Sequence, residues 1–301
     1  MTRLLKLLQW LAAHVPIRLG NWIADRVGEV VSLVGRRSWC AVCSNMGHVL
    51  GPHVSERQVR RSARQVFRNS IRNYYDLLRV GRLSDEKLDQ IVDFDRDSLA
   101  MVQQLAAEGK GILVVTPHWG AFDITSRVLV RHGLPISFLV ARYRPAVVSE
   151  WLNRLRSQRG LEMIWIDEGL TSLKKTLQAL RAGRLVGLLP DRNMDHTGIT
   201  IPFFGDTTVV ATGLAKMALR SHAPIVPGFC LRLKQNRYMV FFTQPIYPPR
   251  EGDEPARIRA VTNAVFAAFE KQIGLYPDQW VLLQPVWPDA PCPSDPGLAP
   301  V

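Results

Sequence analysis

His118 and Asp123 are the residues of this chain best placed to do chemistry. They stand in Thr116-Pro-His-Trp-Gly-Ala-Phe-Asp123. A carboxylate that accepts one imidazole N–H fixes the tautomer and makes the other ring nitrogen a better base. Such a pair can take the proton of a bound hydroxyl as its oxygen attacks a carbonyl. On an uninterrupted helix a spacing of five sets the two side chains about 140° apart, but the loop at Trp119-Gly120 can fold the carboxylate back onto the ring. The pattern H-x-x-x-x-D is weak alone, and a capping aspartate beside a satisfied histidine fits the same letters. Position strengthens it. The preceding GILVVTP, Gly111–Pro117, reads as a buried strand, and α/β proteins place their sites at the C-terminal ends of such strands.

Asp191 and Arg192 are a second charged pair. They follow another apolar run in LLPDRNM and should open on the same sheet edge as His118. They could hold an anionic substrate group or orient the site; a turn capped by Asp191 is the alternative. Cys40-Ala-Val-Cys43 with His48 and His53 has loosely zinc-like spacing, but a single C-x-x-C suits helix packing better, and no metal is expected. The chain has no G-x-S-x-G, G-x-G-x-x-G, P-loop or H-E-x-x-H. The common serine esterase, dinucleotide, nucleoside triphosphate and zincin readings therefore fall away.

The elements that must position these residues alternate. Strands are expected at 111–117, 136–140, 161–166 and 185–189, with helices at 121–131, 147–158 and 170–182 between them. Further on come a strand at 199–205, a helix at 212–221, strands at 224–231 and 238–243, and a helix at 256–273. Such alternation predicts α/β units on a mainly parallel sheet. Upstream, Ser55-Glu-Arg-Gln58 reads as a capping box. The helix after it has Val59, Ala63, Val66, Phe67, Ser70, Tyr74 and Leu77 on one side and Arg57, Arg61, Arg64, Arg68 and Arg72 on the other. That stripe suits lipid or membrane phosphates, or is a solvated face. With two acids among seven arginines from 56 to 79, the helix does not neutralise itself.

Composition bounds the partners. The 301 residues carry 38 Lys+Arg against 26 Asp+Glu, a net charge of +12. Residues 1–82 hold 14 of the basic and 4 of the acidic residues, a net +10. Anionic membrane surfaces and nucleic acids are the usual partners of such a segment. Its apolar stretches at 1–17 and 21–35 are too short or too charged to span a bilayer, and fit helices lying on it, anchored by Trp10 and Trp22. Nucleic acid is disfavoured, because single-strand readers interleave aromatics with basic residues. Four cysteines make no disulfide framework and suggest a reducing compartment.

The ordered set TPHWGAFD, VARYRP, LNRLRSQRGLEMI, GLLPDRN, GITIPFFGDTTVVATGLAKMAL, APIVPGFCLRL and YPDQWVLLQPVW resembles the lysophospholipid acyltransferase superfamily. It is most similar to the bacterial branch with the late acyltransferases of lipid A biosynthesis and the mycobacterial phosphatidylinositol mannoside acyltransferase. The resemblance covers roughly residues 20–288. No repeat or linker interrupts 84–284, so a single α/β domain is expected there, and the resemblance implies a mixed, mainly parallel sheet wrapped by helices as in glycerol-phosphate acyltransferases. A basic, membrane-associating helical part at 1–83 precedes it and a Pro-rich tail at 285–301 follows. His118 and Asp123 match the family's dyad. Arg144, Arg156, Arg159, Asp191, Arg192, Phe203, Phe204 and Gly205 fall in or near its substrate-site motifs. Arg192 is closer to the mannoside enzyme, since many lipid A enzymes carry Gln there.

The activity so implied moves a fatty acyl chain from an acyl-carrier-protein or coenzyme A thioester to a hydroxyl of a phosphorylated glycolipid or lysolipid. It needs no cofactor and runs on the cytoplasmic face of the cell membrane. Two rivals remain: an anionic-lipid-binding protein without catalysis, and a thioester hydrolase on the same dyad.

Overall fold

A computed structural model describes residues 9–12, 14–80, 83–142, 146–157, 161–193 and 197–287. The expectations for residues 1–8, for Arg144 and Arg159, and for the tail from 288 onward lie outside the described residues.

Residues 9–12 are helical, and the helices α1 (Ile17–Val34), α2 (Arg36–Leu50) and α3 (Glu56–Val80) follow. The capping box forms as read. The Ser55 backbone N–H donates to Gln58 Oε1 at 2.9 Å, and the Gln58 N–H to Ser55 Oγ at 3.4 Å. The stretch from 84 to 107, to which the sequence reading gave no elements, forms α4 (Asp85–Ile91), β1 (Val92–Phe94) and α5 (Arg96–Ala107). Asp95 caps α5 by accepting the Ser98 N–H at 2.9 Å.

The alternating part follows: β2 (Ile112–Val115), α6 (Phe122–Arg131), β3 (Ile136–Val140), α7 (Ala146–Ser157), β4 (Glu162–Trp165), α8 (Leu170–Arg181) and β5 (Leu185–Leu188). Then come β6 (Ile199–Phe203), β7 (Asp206–Val210), α9 (Gly213–Ser221), β8 (Ile225–Arg232), β9 (Tyr238–Phe242) and α10 (Glu254–Leu275). The main sheet has the order β1-β9-β8-β2-β5-β3-β4, antiparallel only between β8 and β9. This is the expected α/β architecture with a mainly parallel, mixed sheet.

Strand β2 lies at the centre and is buried on both faces. Leu113 and Val115 join a core with α2, α3, α9 and α10, whereas Ile112 and Val114 join a second core with α4, α5 and α6. Period-two alternation between two apolar layers explains why the run shows no polar residue.

The expected strand at 199–205 ends earlier. Phe203 pairs with Asp206 across a two-residue turn, and β6 and β7 form a separate hairpin. Phe204 (φ 51°) and Gly205 (φ 75°) both take left-handed conformations, as a tight hairpin turn of this twist demands.

Helix α1 packs on α3 through Gly20, Ala24, Gly28 and Ser32. A Cβ at Gly28 would stand 2.8 Å from the Arg68 Cα, so the two backbones touch. Its other face leaves Leu19, Trp22, Ile23, Val27, Val30 and Leu33 exposed. No helix among the described residues is long and apolar enough to cross a membrane.

The arginine stripe divides. Arg72 pairs with Asp25 through two bonds of 2.7 Å, and Arg68 Nε with Glu29 at 2.9 Å. The acids that α3 lacks come from α1. Arg57, Arg61 and Arg64 remain exposed. Tyr74, placed on the buried side by periodicity, is half exposed.

Candidate active site

His118 stands three residues beyond the end of β2, and Asp191 three residues beyond the end of β5. These strands are parallel neighbours with Val115 opposite Leu188. The register therefore brings the two side chains level at the sheet's C-terminal edge. His118 Nδ1 lies 2.7 Å from Asp191 Oδ1, and the His118 backbone N–H donates to Asp191 Oδ2 at 2.8 Å. Asp191 Oδ2 also accepts the indole N–H of Trp280 at 3.0 Å.

The Asp191 side chain is 1% exposed. Burial works against its charge, but the charge of His118 and the bonds from His118 and Trp280 outweigh burial, holding the carboxyl below its ordinary pKa.

The sequence pattern favours Asp123 as the partner of the imidazole; in the structure the carboxylate on Nδ1 is that of Asp191. Asp123 lies in the first turn of α6 and lines the same cavity as His118. Phe122, beside it in the chain, meets His118 edge-on at 5.6 Å.

That cavity holds about 360 Å³. Its wall is largely apolar, with Phe138, Leu139, Met163, Leu188, Leu214 and Met217. Thr116, His118, Asp123, Arg142, Arg192 and Asn193 supply its polar groups. An apolar slot with a few polar groups suits a chain-like substrate with a polar reacting end.

The turn that presents His118 is bound from three sides. Asn73 of α3 donates to the Gly120 carbonyl at 2.7 Å, and the Ala121 N–H donates to the Cys230 carbonyl at 2.8 Å. The Gly120 N–H donates to the Gln279 carbonyl at 2.9 Å, and the Val281 N–H to the His118 carbonyl at 2.7 Å. Gly120 has φ 62°, and a Cβ there would lie 2.0 Å from the Cys230 oxygen. Only glycine fits. Arg232 holds Asn73 Oδ1 at 2.5 Å and is itself paired with buried Asp76 at 2.7 Å.

Arg192 lines the cavity. Phe203 and Phe204 do not; they pack with Trp280, and Gly205 completes their turn. Arg156 lies on α7, with its side chain outside the described residues. Arg142, Trp280 and Asn73 carried no assigned role from sequence. Their partners lie far along the chain, and only YPDQW hinted at Trp280. Among the described residues no three His, Cys, Asp or Glu side chains come together as a metal site. Cys40 is disulfide-bonded, contrary to the reduced state expected, and Cys43 is buried in α2. Burial pushes the Cys230 thiol up to about 12, so it supplies no thiolate nucleophile at neutral pH.

The profile of the bacterial lipid A biosynthesis acyltransferases matches residues 3–288. The chain belongs to that family and is an O-acyltransferase of glycolipid biosynthesis. It is 28% identical over 218 residues to the phosphatidylinositol mannoside acyltransferase of Mycobacterium tuberculosis, which covers 72% of this chain and 67% of that one. It is 25% identical over 274 residues to the lipid A biosynthesis acyltransferase of Haemophilus influenzae, covering 90% and 82%. The lipid A biosynthesis palmitoleoyltransferase of Escherichia coli is 25% identical over 198 residues, covering 62% and 59%.

Proposed function

We propose that the protein moves a fatty acyl chain from a coenzyme A or acyl-carrier-protein thioester to a hydroxyl of a phosphorylated glycolipid or lysolipid, with His118 as general base. One observation carries this reading: Asp191 holds Nδ1 of His118, which lines a largely apolar cavity. With Nδ1 engaged, Nε2 is the nitrogen left for the substrate. It takes the acceptor hydroxyl's proton as that oxygen attacks the thioester carbonyl. Asp191 stabilises the imidazolium that forms, and the field of Asp123 favours the same charge. The thiolate leaves unaided, so no acyl-enzyme is needed. The acyl chain occupies the apolar wall, and Arg192 with Arg142 meets anionic groups of donor or acceptor.

The same reading seats the protein on the cytoplasmic face of the membrane. The exposed apolar face of α1 enters the interface, and nearby arginines meet anionic lipids. The test is transfer from palmitoyl-CoA into extracted bacterial glycolipids, followed by mass spectrometry. A new product heavier by one acyl chain is expected. Release of free fatty acid alone would favour hydrolysis, and no reaction a lipid-binding protein.

A further inference from the structure

We propose that Trp280 is a positioning residue for acyl transfer, acting through the carboxylate of Asp191. The inference rests on His118 being the base.

Trp280 is 1% exposed, and its indole N–H reaches Asp191 Oδ2 at 3.0 Å. That oxygen also takes the His118 backbone N–H, while Oδ1 takes the ring. A carboxylate held by three donors from two distant segments has its plane fixed, and so fixes the plane of the imidazole. The indole is itself anchored. The backbone bonds at Gln279 and Val281 run Trp280 antiparallel to the turn of Trp119. Phe203 meets its ring at 6.0 Å, nearly perpendicular, and Phe204 lies 6.4 Å away. The Pro-Phe-Phe-Gly hairpin thus reaches the reacting residues through this ring.

Space filling alone does not account for the residue. A phenylalanine would fill the same layer, whereas a buried indole N–H needs an acceptor. The acceptor it has is the carboxylate that holds His118. Removing that donor leaves more of the Asp191 charge to the imidazolium, so the pair protonates more readily. The other charged groups that line the cavity among the described residues are Asp123 on α6, Arg142 after β3 and Arg192 after β5. Trp280→Phe leaves all three in place.

The experiment follows the His118 ring by NMR titration in the full chain, wild type against Trp280→Phe, alongside kinetics with palmitoyl-CoA and extracted glycolipid. The expected result is a His118 midpoint above that of the wild type, with kcat down about tenfold and KM unchanged. An unmoved midpoint in a folded variant would overturn the proposal, leaving Trp280 as packing. Should Trp280→Phe fail to fold, benzothienylalanine at 280 replaces N–H by sulfur at constant shape, and the same readings decide. His118→Ala serves as the separate check. Full activity there would defeat the general-base reading, while the titration would still report whether Trp280 governs the Asp191–His118 pair.

Discussion

His118 Nδ1 and Asp191 Oδ1 are 2.7 Å apart although 73 positions separate them in the chain. Two adjacent parallel strands place them, and the bond engages Nδ1 of a ring that lines the cavity. General-base assistance is typically about 10²–10⁴-fold. We predict that His118→Ala loses about that factor in kcat while binding of acyl-CoA, followed by calorimetry, survives. Intact-protein mass spectrometry of the wild type during turnover should show no acyl adduct. An adduct would mean a covalent route.

The two carboxylates should separate by tautomer. Asp191 Oδ2 already accepts two N–H groups, from the His118 backbone and from Trp280. In Asp191→Asn the amide oxygen must stay at that position. Its NH₂ then faces Nδ1 and forces the proton onto Nε2, the tautomer that cannot accept one. The expected loss in kcat is about 10²–10⁴-fold, with the proton on Nε2 by ¹⁵N NMR. Asp123→Asn should also lower kcat, through its field on the imidazolium, but with the wild-type tautomer. An Asp191→Asn protein with the wild-type tautomer and rate would exclude the assignment.

The lowered pKa of Asp191 makes a stability prediction with a definite sign. Below the ordinary carboxylate range, near pH 4, the unfolded chain binds a proton at this site that the folded chain still refuses. Stability from Asp191 is therefore present above that range and is lost as pH falls through the folded pKa. Urea unfolding of wild type and Asp191→Asn should show a gap at pH 5 that narrows toward pH 3. A gap constant over this interval would mean that the carboxylate is not held in its charged form.

How much of this was legible in the sequence follows from what each feature depends on. The strand and helix of GILVVTP and AFDITSRVLVR are local and carry their own periodicity, so their ends were found within a residue or two. Strand β1 has three residues and exists through pairing with β9, which no local pattern reveals. The partner of His118 depends on which strand lies beside β2, and on a register set by the whole sheet. Sequence proximity favoured Asp123; topology supplies Asp191. Phe203 and Phe204 are expected at the substrate site only because Pro-Phe-Phe-Gly matches a family motif, and a motif does not show which way its side chains face. Their neighbour Trp280 lies over 70 residues on.

The division of the arginine stripe leads to the last prediction. Arg68 and Arg72 bind Glu29 and Asp25, and so join α1 to α3. Arg57, Arg61 and Arg64 stay exposed. A partly buried bidentate pair contributes more to stability than exposed charges do, whereas exposed basic residues near an anionic surface contribute about 1 kcal/mol each, screened by salt. The two groups should therefore fail differently. Arg57→Glu, Arg61→Glu and Arg64→Glu together are expected to release the protein from phosphatidylglycerol vesicles in flotation, most clearly at low salt, with little change in Tm. Arg72→Ala is expected to lower Tm by several degrees, because Asp25 loses its partner where α1 meets α3. Trp22→Ser should weaken flotation without altering its salt dependence, since the ring contributes apolar contact and no charge. If the triple reversal leaves flotation unchanged at low salt, the exposed arginines form a solvated face, and membrane contact rests on the apolar side of α1 alone.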